Sequence, residues 1–214
     1  HVVPELMFVG TEFGVYCTLD EGKSWIQMKG GLPTIAVRDV AIHKEENDLV
    51  LGTFGRSFYV LDDYSALRGM SEERLAAAPQ LFPVADTLLF NQTSRLGGRE
   101  GRGSQGAAFY TAENQPFGAI ISYHLPEKLS TRQELRRKKE KELRKDGGDV
   151  PYPAWDELRA EDEEKAPQVY LVIRDEQNNV VRRLAASRDK GLHRAVWDLR
   201  EAPRSPLRLK QPKE

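Results

Sequence analysis

From Leu6 to Asp63 the apolar residues come in short bursts, each closed by glycine, aspartate, asparagine, proline or serine. The bursts cover Leu6–Thr11, Gly14–Leu19, Trp25–Met28, Val37–His43, Asp48–Thr53 and Ser57–Leu61. A strand about every ten residues, with turn residues between, predicts an antiparallel meander rather than βαβ units. The alternation returns near the end of the chain. Val169, Leu171 and Ile173 share one side of a strand, as do Ala195, Trp197 and Leu199. With Gly118–Leu125 and Val180–Leu184 they predict half-buried antiparallel strands of a β-sandwich. Asp175-Glu176-Gln177-Asn178-Asn179 supplies the turn of a hairpin.

Helical signals are confined to two places. Ser71 is placed to cap a short helix that Pro79 ends. Between the sandwich strands, Thr131-Arg132-Gln133-Glu134 is a capping-box pattern, and Gly147 stands where a C′ glycine belongs. The favourable i,i+4 pairs there are Glu134 with Lys138 and Glu140 with Arg144. Leu129, Leu135 and Leu143 make no continuous stripe, which predicts weak packing. A second helix, from near Pro153 to before Pro167, is acidic at Asp156, Glu157, Glu161, Asp162, Glu163 and Glu164. A basic helix followed by an acidic one predicts a hairpin whose faces attract.

The stretch Thr18-Leu19-Asp20-Glu21-Gly22-Lys23-Ser24-Trp25 lies between two predicted strands, at a hairpin tip. Asp20 can fold its carboxylate onto the turn's own N–H groups, and Gly22 can take positive φ. Ser24 offers a second tie, and Trp25 a large ring to bury beneath the turn. A weak internal repeat accompanies it. Phe8-Val9-Gly10-Thr11-Glu12-Phe13-Gly14-Val15-Tyr16 recurs as Val50-Leu51-Gly52-Thr53-Phe54-Gly55-Arg56-Ser57-Phe58-Tyr59, a separation of about 42 residues that suits one four-stranded propeller blade.

The Thr18–Trp25 stretch fills every fixed position of Ser/Thr-x-Asp-x-Gly-x-Thr/Ser-Trp and resembles the Asp-box, or BNR, repeat. In sialidases, sortilin-type proteins and xyloglucanase-like enzymes that box fastens β-propeller blades. The resemblance implies a structural role for Thr18, Asp20, Gly22, Ser24 and Trp25. The run Leu49 to Asp63 is similar to the "GT-x-GR-x-WVLDD" end of the last blade in bacterial sortilin-like proteins of glycosyl-hydrolase type. Gly31 to His43 fits the same family. Leu171–Asp175, Val180–Leu184 and Gly191–Arg200 together resemble the immunoglobulin-like module of flagellar hook-assembly proteins.

The expected fold is therefore all-β: a partial β-propeller, its last blades, followed by an incomplete Ig-like β-sandwich carrying a charged helical insertion. The expected division is propeller blades over 1–63, connector and Gly-rich linker over 64–117, and sandwich over 118–204. The insertion falls at about 128–166, and 205–214 form a tail. Fewer than two blades are present, so the remaining blades and a signal peptide are expected upstream. The parent is expected to be secreted or in the periplasm or cell envelope.

Of the 214 residues 39% are hydrophobic and 30% charged, above the usual quarter or so. The net charge of −1 provides no field that would draw in nucleic acid or an anionic membrane. No apolar run approaches the ~18 residues of a membrane span. The single cysteine, Cys17, excludes an intrachain disulfide and a multi-cysteine metal site. Gly101-Arg102-Gly103-Ser104-Gln105-Gly106 matches GxGxxG but lacks the flanking strand and helix. Asn91-Gln92-Thr93 has meaning only in a eukaryotic secretory context.

No cofactor and no metal site is expected, since His1, His43, His124 and His193 are scattered without ligand spacing. No paired carboxylates are fixed at the separation of about 5–9.5 Å that glycoside hydrolysis needs. Asp39, Arg56, Asp62 and Asp63 are candidates for a propeller rim. The expected partner is a carbohydrate or protein ligand of the whole propeller, and no nucleic acid. A sialidase-like or xyloglucanase-like hydrolase, its catalytic residues in the missing blades, is the alternative.

Overall fold

The computed structural model describes residues 3–89 and 115–202. The GxGxxG match, the Asn91 sequon and the 205–214 tail lie outside them. Within them the chain is built chiefly of short strands in small antiparallel sheets, with few helices.

The first half is two three-stranded meanders. One joins β1 (Met7–Thr11), β2 (Gly14–Thr18) and β3 (Ile26–Gln27), and the other β4 (Val37–His43), β5 (Asp48–Thr53) and β6 (Phe58–Leu61). The sequence repeat has a structural counterpart at the two hairpin ends. Thr11 donates its hydroxyl to the carbonyl of Gly14 at 2.9 Å, and Thr53 donates its own to that of Ser57 at 2.6 Å. Each threonine closes a hairpin that the following glycines, Gly14 and Gly55, enter at positive φ.

The meanders meet where β1 packs on β4. A side chain at Gly10 would lie 2.8 Å from the Val37 carbonyl oxygen, so the contact requires glycine. Val15, Val37, Leu49, Leu51 and Tyr64 form the buried core, with the Phe8 ring edge-on to Tyr64 at 5.4 Å between centroids. Leu49 is fully buried, a contribution of about 1.5–3 kcal/mol relative to exposure. β4 carries a register shift between Val37 and Asp39, and the intervening Arg38 lays its guanidinium over Phe54.

Beyond β6 come α1 (Ser65–Arg68) and α2 (Glu72–Ala77), the latter capped by Ser71, whose hydroxyl accepts from the Arg74 amide. Gln80–Leu81, assigned to the connector on sequence grounds, forms β7 and joins β8 (Ala119–Leu125). β8 also pairs along its whole length with β11 (Gly191–Trp197), while β9 (Val169–Arg174) and β10 (Val180–Ala186) form a separate two-stranded ribbon. Ala119, Ile121, Tyr123 and Leu125 are buried along β8, and the Tyr123 hydroxyl donates to the Ser187 carbonyl at 3.0 Å. Gly118 is indispensable at its start: its φ is +124°, and a Cβ there would stand 2.0 Å from the Trp197 carbonyl oxygen.

Between β8 and β9 lies the helical insertion, α3 (Arg132–Lys145) and α4 (Trp155–Glu163). The Thr131 capping box forms at both bonds, with Thr131 Oγ1 accepting from Glu134 N–H and Glu134 accepting from Thr131 N–H. At the other end Gly147 N–H reaches the Arg144 carbonyl and Gly148 N–H the Leu143 carbonyl, a Schellman stop. The two predicted i,i+4 pairs are replaced by others. Glu134 is held by Arg188 at 2.9 Å and Lys128 at 3.8 Å, and Glu140 by Arg136 at 2.5 Å. Glu134 is drawn to partners outside the helix, and Glu140 to Arg136 one turn before it rather than to Arg144 one turn after. Arg136 also forks onto both oxygens of Glu161 in α4, at 2.7 and 2.8 Å. The helices attract through ions rather than through leucines, since Leu135 and Leu143 stay exposed.

Candidate functional site

The Thr18–Trp25 turn links β2 to β3. Its hydrogen bonds form a closed set. The buried Thr18 hydroxyl donates to Asp20 Oδ1 at 2.7 Å and accepts from the amides of Gly22, at 2.9 Å, and Asp20, at 3.3 Å. Asp20 Oδ1 also accepts from Ser24 N–H at 2.9 Å, and Oδ2 from the Ser24 hydroxyl at 2.5 Å. These bonds, those from Ser24 first, hold the Asp20 carboxyl at a pKa of about 2 against an ordinary 3.8. Glu21 and Gly22 both take positive φ to close the loop.

Trp25 departs from expectation. Its side chain lies against the turn, with Cζ2 3.7 Å from where a Gly22 Cβ would be, yet the residue is 44% exposed. β3 is only Ile26–Gln27, too short to roof the ring. The full 3–5 kcal/mol typical of an aromatic truncation in a packed core therefore does not apply here.

The four rim candidates do not gather. Asp39 and Arg56 lie at the end of the second meander where β5 turns into β6. Asp39 accepts from the amide of Val40, and Arg56 is exposed on the turn. Asp62 and Asp63 lie at the opposite end, past β6. Asp63 is buried: its amide donates to Asp48 at 3.0 Å, and its carboxylate accepts from Ser65 N–H at 3.1 Å, at the entry to α1. Both carbonyls receive the Arg194 guanidinium of β11, each at 2.6 Å. Burial, then the neighbouring Asp48, pushes the Asp62 carboxyl up, with Arg194 opposing. Asp62 and Asp63 thus join the two halves of the chain.

A cleft of about 610 Å³ opens between the Thr18–Trp25 turn, α2 and the end of β8. Leu19, Ile26, Leu75 and Pro126 supply its apolar surface, and Glu72, Glu127, Lys190 and His124 its free polar groups. Asp20 and Ser24 border it, already bonded to each other. His124 has no partner for its buried Nδ1. Burial, together with His193 and Lys190, moves its pKa below the ordinary value and favours the neutral ring. His193 is engaged elsewhere, stacked obliquely on Tyr123 and bonded to the Asp189 carbonyl at 2.7 Å.

Sequence reasoning missed this cleft, because its members come from β2–β3, α2, β8 and the β10–β11 turn. Its one local signal is His124 standing between Tyr123 and Leu125, which are both buried. Among the described residues no group of three or more His, Cys, Asp or Glu could hold a metal ion. No described helix is long and apolar enough to cross a membrane. No protein-family model matches the chain, and no curated protein or solved structure does.

Proposed function

We propose that the chain is the C-terminal part of an exported Asp-box β-propeller protein that binds carbohydrate or protein ligands, these residues serving mainly as framework. The two meanders are its last blades, and the sheets around β8 and β9 belong to an Ig-like sandwich. The observation that carries the reading is the closed hydrogen-bond set of the Thr18–Ser24 turn. Asp20 has both oxygens engaged inside its own loop, which suits a fastener and leaves no free base or nucleophile.

A second feature supports blade-like stacking. The register places Phe58 and Val60 on the same side of the second meander as Val50 and Ala41, away from the core side chains Tyr59, Leu61, Leu49 and Leu51. Phe58 is 67% exposed and Val60 46%, an apolar face that a neighbouring sheet would cover.

The test is made on the longer protein carrying the upstream blades. It should bind members of a glycan or protein ligand array and leave sialosides and β-glucans unhydrolysed. Turnover of either substrate would replace this reading with that of a glycoside hydrolase.

A further inference from the structure

We infer that the cleft between the Thr18–Trp25 turn, α2 and the end of β8 is a binding site for a neutral, hydroxyl-rich ligand, a short uncharged oligosaccharide. The inference goes beyond the function proposed above. The site is not a propeller mouth, and it would stand whether or not the meanders belong to a larger wheel.

Size and position come first. About 610 Å³ lies within the usual range for small-ligand sites, and such sites favour the seams between packed units. This seam is fixed, because Arg194 ties β11 to the segment that leads into α1 and α2.

The wall chemistry then selects the ligand. Glu72 and Glu127 only accept hydrogen bonds, and Lys190 only donates. A purely cationic ligand would face the ammonium of Lys190. A purely anionic one would face Glu72, Glu127 and Asp20. Hydroxyl groups both donate and accept, so a neutral polyol can hydrogen-bond to every one of these side chains without setting a like charge against any of them.

His124 points the same way. Nothing among the described residues bonds its Nδ1, so the tautomer of its neutral ring is not fixed from behind. Its other edge can therefore donate to a hydroxyl or accept from one. Leu19, Ile26, Leu75 and Pro126 give the C–H face of a pyranose ring an apolar surface to lie on.

The experiment is an NMR titration of this chain, observing backbone amides and histidine ring nitrogens. The probes are neutral tetrasaccharides of glucose, galactose, mannose and xylose at millimolar concentration, with sialyllactose and a tetralysine peptide as charged comparators. At least one neutral sugar should give saturable shifts at His124, Lys190 and Leu75. Glu127→Gln and Lys190→Ala, both at exposed positions, should each weaken it about tenfold without changing the melting temperature. Three results would overturn the inference: no saturable shift with any neutral sugar, binding that survives both substitutions, or tighter binding of either charged comparator. None of these touches the propeller reading, which is tested on the longer protein.

Discussion

Asp20 shows how much a single carboxylate can organise. Its oxygens accept three hydrogen bonds, and those bonds favour the ionised form. The pKa is depressed on folding, so the stabilisation is complete above the unfolded value of 3.8 and is lost as pH falls through about 2. Asp20→Asn keeps one acceptor but replaces Oδ2 by an amide donor. The variant should melt below the wild type at neutral pH, and the gap should close on acidification across that window. Thermal melts of both proteins at neutral pH and near the folded pKa check this. A gap unchanged by acid would mean that the negative charge is not what holds the turn.

Gly118→Ala is the sharpest test of how the strands close. The substitution places a methyl group on the Trp197 carbonyl and strains a backbone at φ +124°. It should cost about 3 kcal/mol or more, read as a lowered melting temperature. A variant melting like the wild type would show that β8 and β11 do not approach so closely. The strands were largely legible beforehand, because alternation and turn residues are local signals. β4 and β5 match the predicted spans end for end. The capping box, the Gly147 stop and the Asp175–Asn179 hairpin were legible for the same reason. β7 was not, since two residues carry no periodicity and become a strand only by pairing with β8. The carboxylate partners within α3 were misjudged because Arg188, far along the chain, and Arg136 compete for them. Trp25 was misjudged because burial depends on how long β3 is, which the motif does not specify.

Arg194 decides whether the two halves of the molecule behave as one body. Its guanidinium reaches back across the chain to two successive carbonyls, a forked geometry that lysine cannot reproduce. Arg194→Ala and Arg194→Lys should both raise hydrogen exchange at Tyr64 and Ser65 by about tenfold and leave β1 and β2 unchanged. Exchange unaltered in both variants would show that the joint is held elsewhere. Arg194→Ala, which also removes the positive charge, should push the Asp62 carboxyl higher still, since Arg194 is what opposes its burial and its neighbour Asp48. The cleft depends on this joint too, which makes its four contributing segments a site of the assembled molecule and explains why no local motif announces it.

Cys17 is the penultimate residue of β2, 5% exposed, and burial raises its thiol pKa. The reactive species is the thiolate, so this sulfur is a poor target for oxidants and alkylating reagents while the sheet is intact. With no second cysteine in the chain, its architecture owes nothing to the redox potential around it. A cysteine introduced on the exposed Arg56 turn would therefore take a maleimide dye alone, and delayed labelling of Cys17 itself would clock the opening of the first meander.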